Sequence, residues 1–143
     1  MARELTERTA AIIDTASTWE GVCRVVRSER RPGSTTLRVD GCALGRVETD
    51  SVEAHFPGKL PETVVRHELA DAELEEGWTR LDLDRKTRVH DAVVLLRVAY
   101  LSSIARARQD RPDAFGNVDL DAALGELDLS PGTIHLVREQ ARS

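Results

Sequence analysis

Lysine is almost missing from this chain. Lys59 and Lys86 are the only two, and the rest of the 20 basic residues are arginine. We read that as coding bias and not as function. Aromatic residues are nearly as scarce, at 3%: Trp19, Phe56, Trp78, Tyr100 and Phe115. A core must therefore be built mainly from Val, Leu, Ile and Ala. A net positive charge is also lacking. The 25 acidic residues exceed the basic ones and leave a formal net charge of −5. A general binder of nucleic acid or of an anionic membrane needs a positive footprint, so neither partner is expected. No run approaches the roughly 20 apolar residues of a membrane span. The longest, Ala92 to Leu96, ends at Arg97. The start, Met1 to Arg8, is charged and holds no signal-like apolar stretch. A soluble, cytoplasmic protein is the expectation. The two cysteines, Cys23 and Cys42, sit in apolar surroundings, which favours buried, reduced thiols. On adjacent strands they could touch. No CxxC, Cys/His metal spacing, HExxH, GxGxxG, Walker loop or GxSxG occurs, so no metal and no cofactor are expected.

What is present is a well-patterned globular chain. Its 143 residues suit one ordinary domain, and 41% hydrophobic with 31% charged residues suits a packed core. Leu5 to Trp19 has the period of a helix, with Thr6 as a candidate cap and Gly21 as a stop. Val22 to Val26 reads as a strand and Arg30 to Ser34 as a turn. Thr35 to Val39 alternates, Leu37 and Val39 against Thr36 and Arg38. Asp40-Gly41 is a hairpin signal. Cys42 to Glu48 is a strand, Thr49-Asp50 a turn, and Ser51 to Phe56 alternates again, Val52, Ala54 and Phe56 against Ser51, Glu53 and His55. After Pro57-Gly58-Lys59 a helix is predicted from Leu60 to Ala70. Glu75 to Gly77 is a turn. Trp78 to Leu83 is a strand with Leu81 and Leu83 inward and Trp78, Arg80 and Asp82 outward. A helix over 88–108, capped by Asp84 or Thr87, is apolar almost all round and belongs across the sheet. Asp110 to Asn117 reads as a linker, followed by helices over Val118–Leu127 and Pro131–Ala141, the second capped by Ser130. Strands in a run, flanked by helices, indicate an α+β fold: two layers, an antiparallel sheet of about five strands backed by helices, and a helical C-terminal extension. The α+β part spans 1–109, and 110–143 is a linker and helical extension of the same domain.

The alternation gathers chemistry on one face. His55, Glu53, Trp78, Arg80 and Arg38 all fall on the side away from the core, and Arg24 is expected to join them. His55 would be the catalytic acid or base. Trp78 would be a stacking platform, and Arg80 or Arg38 would clamp an anionic substrate beside Glu53. The same residues also suit a solvated face with cross-strand ion pairs. His67 and Asp71, four apart on one predicted helix, could touch one ligand or be a surface pair. Arg27, Arg30 and Arg31 could contact phosphate or simply be solvated.

Three stretches resemble a known family. They are Val39 to Val47 (VDGCALGRV), Asp50 to Pro57 (DSVEAHFP), and Gly77-Trp78 with the later Leu95 to Leu101 (LLRVAYL). Between Thr35 and about Ser102, roughly half of the chain, it looks like the luciferase-domain family, whose fungal members oxidise a hydroxypyrone with molecular oxygen. The resemblance implies a small protein that binds an organic ligand on the sheet face, with oxygen-dependent, metal-free oxidation as its chemistry and His55 as the residue to carry it. One departure matters: where the family often has histidines after the second strand's glycine, this chain has Arg46, Val47, Glu48 and Thr49. A different class stays open, a non-enzymatic module that binds a protein or a second copy through the sheet face or the C-terminal helices.

Overall fold

The computed structural model describes residues 2–27, 34–48, 50–56, 58–83 and 88–139. Its elements are α1 (Ala2–Ser17), β1 (Val22–Arg27), β2 (Ser34–Val39), β3 (Cys42–Val47), β4 (Ser51–His55), α2 (Leu60–Arg66), β5 (Ala72–Glu73), β6 (Trp78–Asp82), α3 (Arg88–Asp110), α4 (Leu120–Glu126) and α5 (Pro131–Glu139). The class is α+β, as the pattern indicates, with six strands among the described residues where about five were expected. The extra one, β5, has two residues and is too short to show a period.

The sheet order is β1-β2-β3-β4-β6-β5, and all five neighbour pairs are antiparallel. The meander follows from tight turns. Asp40 and Gly41 both take positive φ, 54° and 77°, as a two-residue hairpin of the twist-compatible type demands. Beyond it, β3 carries a bulge: Leu37 faces Gly45 while Arg38 faces Ala43, so Leu44 is the extra residue. Leu44 and Gly45 are both buried, and alternation resumes with Arg46 outward and Val47 inward. The missing Cβ of Gly45 is required. One added there would lie 2.6 Å from Leu96 Cδ2 and 2.7 Å from the Glu53 carbonyl oxygen.

Inward rows from β2, β3 and β4 (Leu37, Val39, Leu44, Val47, Val52, Ala54) meet α1 and α3, and β6, with Leu81, packs on α2. Helix α3 is apolar nearly all round because it is enclosed nearly all round. It packs on β3 and β4, on α1, and on α4 and α5, and Leu95, Leu96, Val98, Tyr100, Leu101 and Ile104 are fully buried. Each such side chain contributes about 1.5–3 kcal/mol by leaving water. The C-terminal helices complete this layer. Asp119 Oδ1 accepts from the Ala122 N–H at 3.1 Å and Ser130 Oγ accepts from the Thr133 N–H at 3.2 Å, capping α4 and α5. Leu124 and Val137 belong to the same core as the sheet.

The linker is fastened through one arginine. Arg108 Nε donates to the Ala114 carbonyl at 3.0 Å, and its Nη2 donates to those of Phe115 and Val118 at 2.9 and 2.6 Å. Three of the five aromatics meet beside it. Tyr100 lies 5.3 Å from Trp19 and 6.4 Å from Phe115, ring centre to ring centre. Its hydroxyl donates to the Glu20 carbonyl at 2.6 Å. Gly21, at φ +80°, leaves the space that Phe115 fills.

Several expectations are corrected. Helix α1 starts at Ala2, so Thr6 lies inside it and not at its N-cap position. Helix α2 stops at Arg66 and not at Ala70. Glu68 adopts φ 62°, its N–H bonds the Val65 carbonyl, and the Leu69 N–H bonds that of Val64, the pattern of a left-handed helix stop. Cys23 and Cys42 are exposed, not buried. Cys23 is on the outer side of an edge strand and Cys42 beside the turn of the β2–β3 hairpin, with β2 between their strands. The expected caps Asp84 and Thr87, the turn at 30–33, Thr49 and Pro57 lie outside the described residues, as do Arg30 and Arg31. Among the described residues no helix is long and apolar enough to cross a membrane.

Candidate functional site

The core shared by the inward rows and the helices lies on one side of the sheet. On the other face Cys23 and Arg38 are exposed, Arg46, Glu53, His55, Trp78 and Arg80 are part-buried, and Thr36 and Ser51 are buried. Register decides which side chains it carries. Arg46 faces Glu53, Glu53 faces Arg80, and His55 faces Trp78. Since Val52, Ala54 and Leu81 are buried on the helix side, these five stand on the other face. The sequence expectation for His55, Glu53, Trp78 and Arg80 is met in position. Arg38 is on the same face but on β2, opposite Cys23 and Ala43 and two strands from β4. It is exposed, and the structure gives it no contact with the other four. Arg24 does not join the face. It is opposite the buried Leu37, which puts it on the helix side, 3.9 Å from Asp14 of α1.

Four of the side chains interlock across three strands. The Arg46 guanidinium lies over the Trp78 ring, 4.3 Å from its centre, and its Nη2 donates to Glu53 Oε1 at 2.9 Å. That arch leaves the Glu53 side chain only 13% exposed. The His55 ring meets Trp78 edge-on, 5.2 Å between centres and 62° between planes. Arg80 flanks the cluster, its Nε 3.3 Å from Asp82 Oδ1. The Nε atoms of Arg46 and Arg80 are shielded from solvent and have no hydrogen-bond partner. Arg46 is the residue that sequence reasoning passed over. The bulge at Leu44 breaks the alternation of β3, so no period pointed it outward.

His55 is held by the turn before β6. Its Nε2 lies 2.9 Å from the Glu76 carbonyl oxygen. A carbonyl only accepts, so Nε2 carries the hydrogen and the neutral ring keeps Nδ1 as its basic nitrogen. The turn needs its glycine. Glu76 and Gly77 have φ of 58° and 86°, and a Cβ on Gly77 would lie 2.5 Å from the Phe56 carbonyl oxygen and 3.2 Å from His55 Nε2. The Phe56 N–H closes the contact by donating to the Gly77 carbonyl at 2.9 Å.

The other candidate pairs are not sites. His67 and Asp71 do not share a helix, because α2 has ended before both. Asp71 Oδ2 instead accepts from the Asp82 N–H at 2.8 Å and from Arg88 Nη1 at 2.6 Å. Burial opposes its ionisation, but these hydrogen bonds and the charges of Arg88 and Arg80 outweigh burial and hold its carboxyl below the ordinary value. His135 is exposed and paired with Glu139. Among the described residues no group of three or more His, Cys, Asp or Glu is placed to hold a metal ion. No family model matches this chain, and no curated protein or solved structure does.

Proposed function

We propose that the chain binds a small organic molecule on the outer sheet face, around His55, Trp78, Arg46 and Arg80. The observation that carries this reading is Trp78. One of only two tryptophans in an aromatic-poor chain stands on the outer face of the sheet, fixed by a guanidinium on its ring and an imidazole at its edge. A rigid aromatic with polar groups converging on it is the usual make-up of a small-ligand site. The resemblance to the luciferase domain adds a chemistry to test, oxygen-dependent oxidation of a conjugated lactone. In that chemistry His55 would act as the base through Nδ1.

The alternative is a non-enzymatic module that docks a protein or a second copy through the sheet face or the C-terminal helices, and its second surface has less behind it. The apolar residues Leu124 and Val137 of those helices are buried in the chain's own core.

The test is a thermal-shift screen with aromatic lactones, flavins and nucleotides on the wild type, His55→Ala and Trp78→Leu. A ligand at 100 times its Kd stabilises by about 2.7 kcal/mol, a rise of several degrees at this length. We expect a rise in the wild type that is lost in both variants. No rise with any ligand, or an equal rise in all three proteins, overturns the reading.

A further inference from the structure

We infer that a second copy of this chain adds its β1 to β1, antiparallel, so that two sheets run on into one. The inference stands apart from the ligand reading above, because it concerns the edge of the sheet and not its face.

The two edges differ. One is β5, only two residues long, and an edge that short offers little to pair with. The other is β1, Val22–Arg27, and among the described residues no strand lies on its outer side. It holds three valines and a cysteine, with no proline and no lysine. It pairs with β2 over all six residues without a bulge. Most of the devices that blunt an edge are therefore missing. What remains is two arginines. Arg27 is the last residue of the strand, and Arg24 is answered within its own chain by Asp14 at 3.9 Å.

Hydrogen-bond phase selects the register. The Val22 N–H donates to the Trp19 carbonyl at 3.2 Å, so Val22 is turned away from β2. The two-residue turn at Asp40-Gly41 agrees. It makes Val39 and Cys42 its hydrogen-bonded closing pair, which points the backbone of Val39, the partner of Val22, at β3. From that phase Cys23, Val25 and Arg27 bond β2, while Arg24 and Val26 present their N–H and C=O groups to the free edge. Two copies match these groups fully when Arg24 of each stands opposite Val26 of the other, with the two-fold axis at Val25. Both such pairs then exchange both of their hydrogen bonds. The same register puts Arg27 opposite Cys23 and keeps every arginine from facing another. Slid one way, Arg24 would face Arg24, like charge against like, and Val22 would be asked for an N–H that Trp19 already holds. Slid the other way, Arg24 passes the end of the opposite strand.

The experiment uses the full chain with Cys23→Ser and Cys42→Ser, both exposed positions, in sedimentation velocity over rising concentration. We expect a monomer–dimer equilibrium. In the same background Val25→Cys should give a disulfide-linked dimer with copper–phenanthroline as oxidant. Opposed residues of a pair without hydrogen bonds lie about 4.5 Å apart at Cα, inside the range that a disulfide spans. Arg24→Cys, opposite Val26, should crosslink roughly tenfold more slowly. Arg24→Pro deletes an outward N–H and leaves the bonds to β2 whole. It should raise the dimer Kd roughly tenfold or more. A monomer at every concentration overturns the proposal. So does a dimer in which Val25→Cys crosslinks no faster than Arg24→Cys, or one that Arg24→Pro leaves as tight. An assembly that keeps growing with concentration overturns the two-fold pairing.

Discussion

Replacing Gly45 by alanine tests the architecture that carries the site. The backbone of Gly45 is not in the left-handed region, so alanine is conformationally admissible, and the whole effect comes from one methyl group. That methyl meets Leu96 Cδ2 at 2.6 Å and the Glu53 carbonyl oxygen at 2.7 Å. Both are about 0.7 Å or more inside ordinary contact. Leucine can rotate away, but the carbonyl belongs to β4 and moves only with the strand. Overpacking of this kind costs about 1–3 kcal/mol. Loss of glycine's freedom in the unfolded chain returns about 0.4–1 kcal/mol. The net is a loss of about 1–2 kcal/mol. In urea, with a slope of about 2 kcal/mol/M, the midpoint should fall by about 0.5–1 M at unchanged slope. A Leu96→Val background separates the two obstacles. Because the carbonyl stays, roughly half the Gly45→Ala penalty should persist there, and the remainder measures the coupling. A midpoint for Gly45→Ala at or above the wild type would refute the account of the bulge.

Two further predictions concern the supports of the fold. Asp71 titrates below its ordinary value in the folded chain, so its contribution is present above the unfolded pKa and is lost as pH falls through the folded one. The stability gap between wild type and Asp71→Asn should narrow from about pH 5 downward; urea midpoints measured across that range check it, and a constant gap sinks it. Arg108→Met removes three bonds to carbonyls of the 114–118 stretch and should destabilise by about 1.5–3 kcal/mol. Limited proteolysis read by mass spectrometry should show faster cutting between Arg111 and Val118, and an unchanged rate would count against the clasp.

Much of this molecule is written in its periodicities. The alternation at 51–56 and 78–83 places His55, Glu53, Trp78 and Arg80 on one face because side chains on a regular strand have no other choice. Asp40-Gly41 announces its turn through the residue types that accept positive φ. The remainder turned on single residues whose behaviour depends on neighbours. Leu44 is one residue too many for β3, and that slip decides where Arg46 points. Arg24 looks like a face residue until its pairing with the buried Leu37 is known. Glu68 ends a helix in a conformation usually left to glycine, so α2 carries no stop signal. The cysteines look buried by composition, yet their strands place them at an edge and at a hairpin end. Local pattern reports which way a regular strand faces; it does not report register between strands.

The bond from the Tyr100 hydroxyl to the Glu20 carbonyl joins residues 80 positions apart. During synthesis this distance becomes time. The β1–β4 strands pair with their neighbours in sequence and can form hairpins as they emerge, with α1 as their only helical cover. The main cover, α3, is complete only at Asp110. At about 5–20 residues per second, the interval between the end of β4 at His55 and the end of α3 at Asp110 is roughly 3–11 s. For that interval the inward row of Leu37, Val47 and Val52 lacks the helix that later buries it. The nascent chain is then most exposed to chaperones and to pairing with another sheet, and the arrival of Tyr100 at Trp19 and Glu20 marks the close of that window.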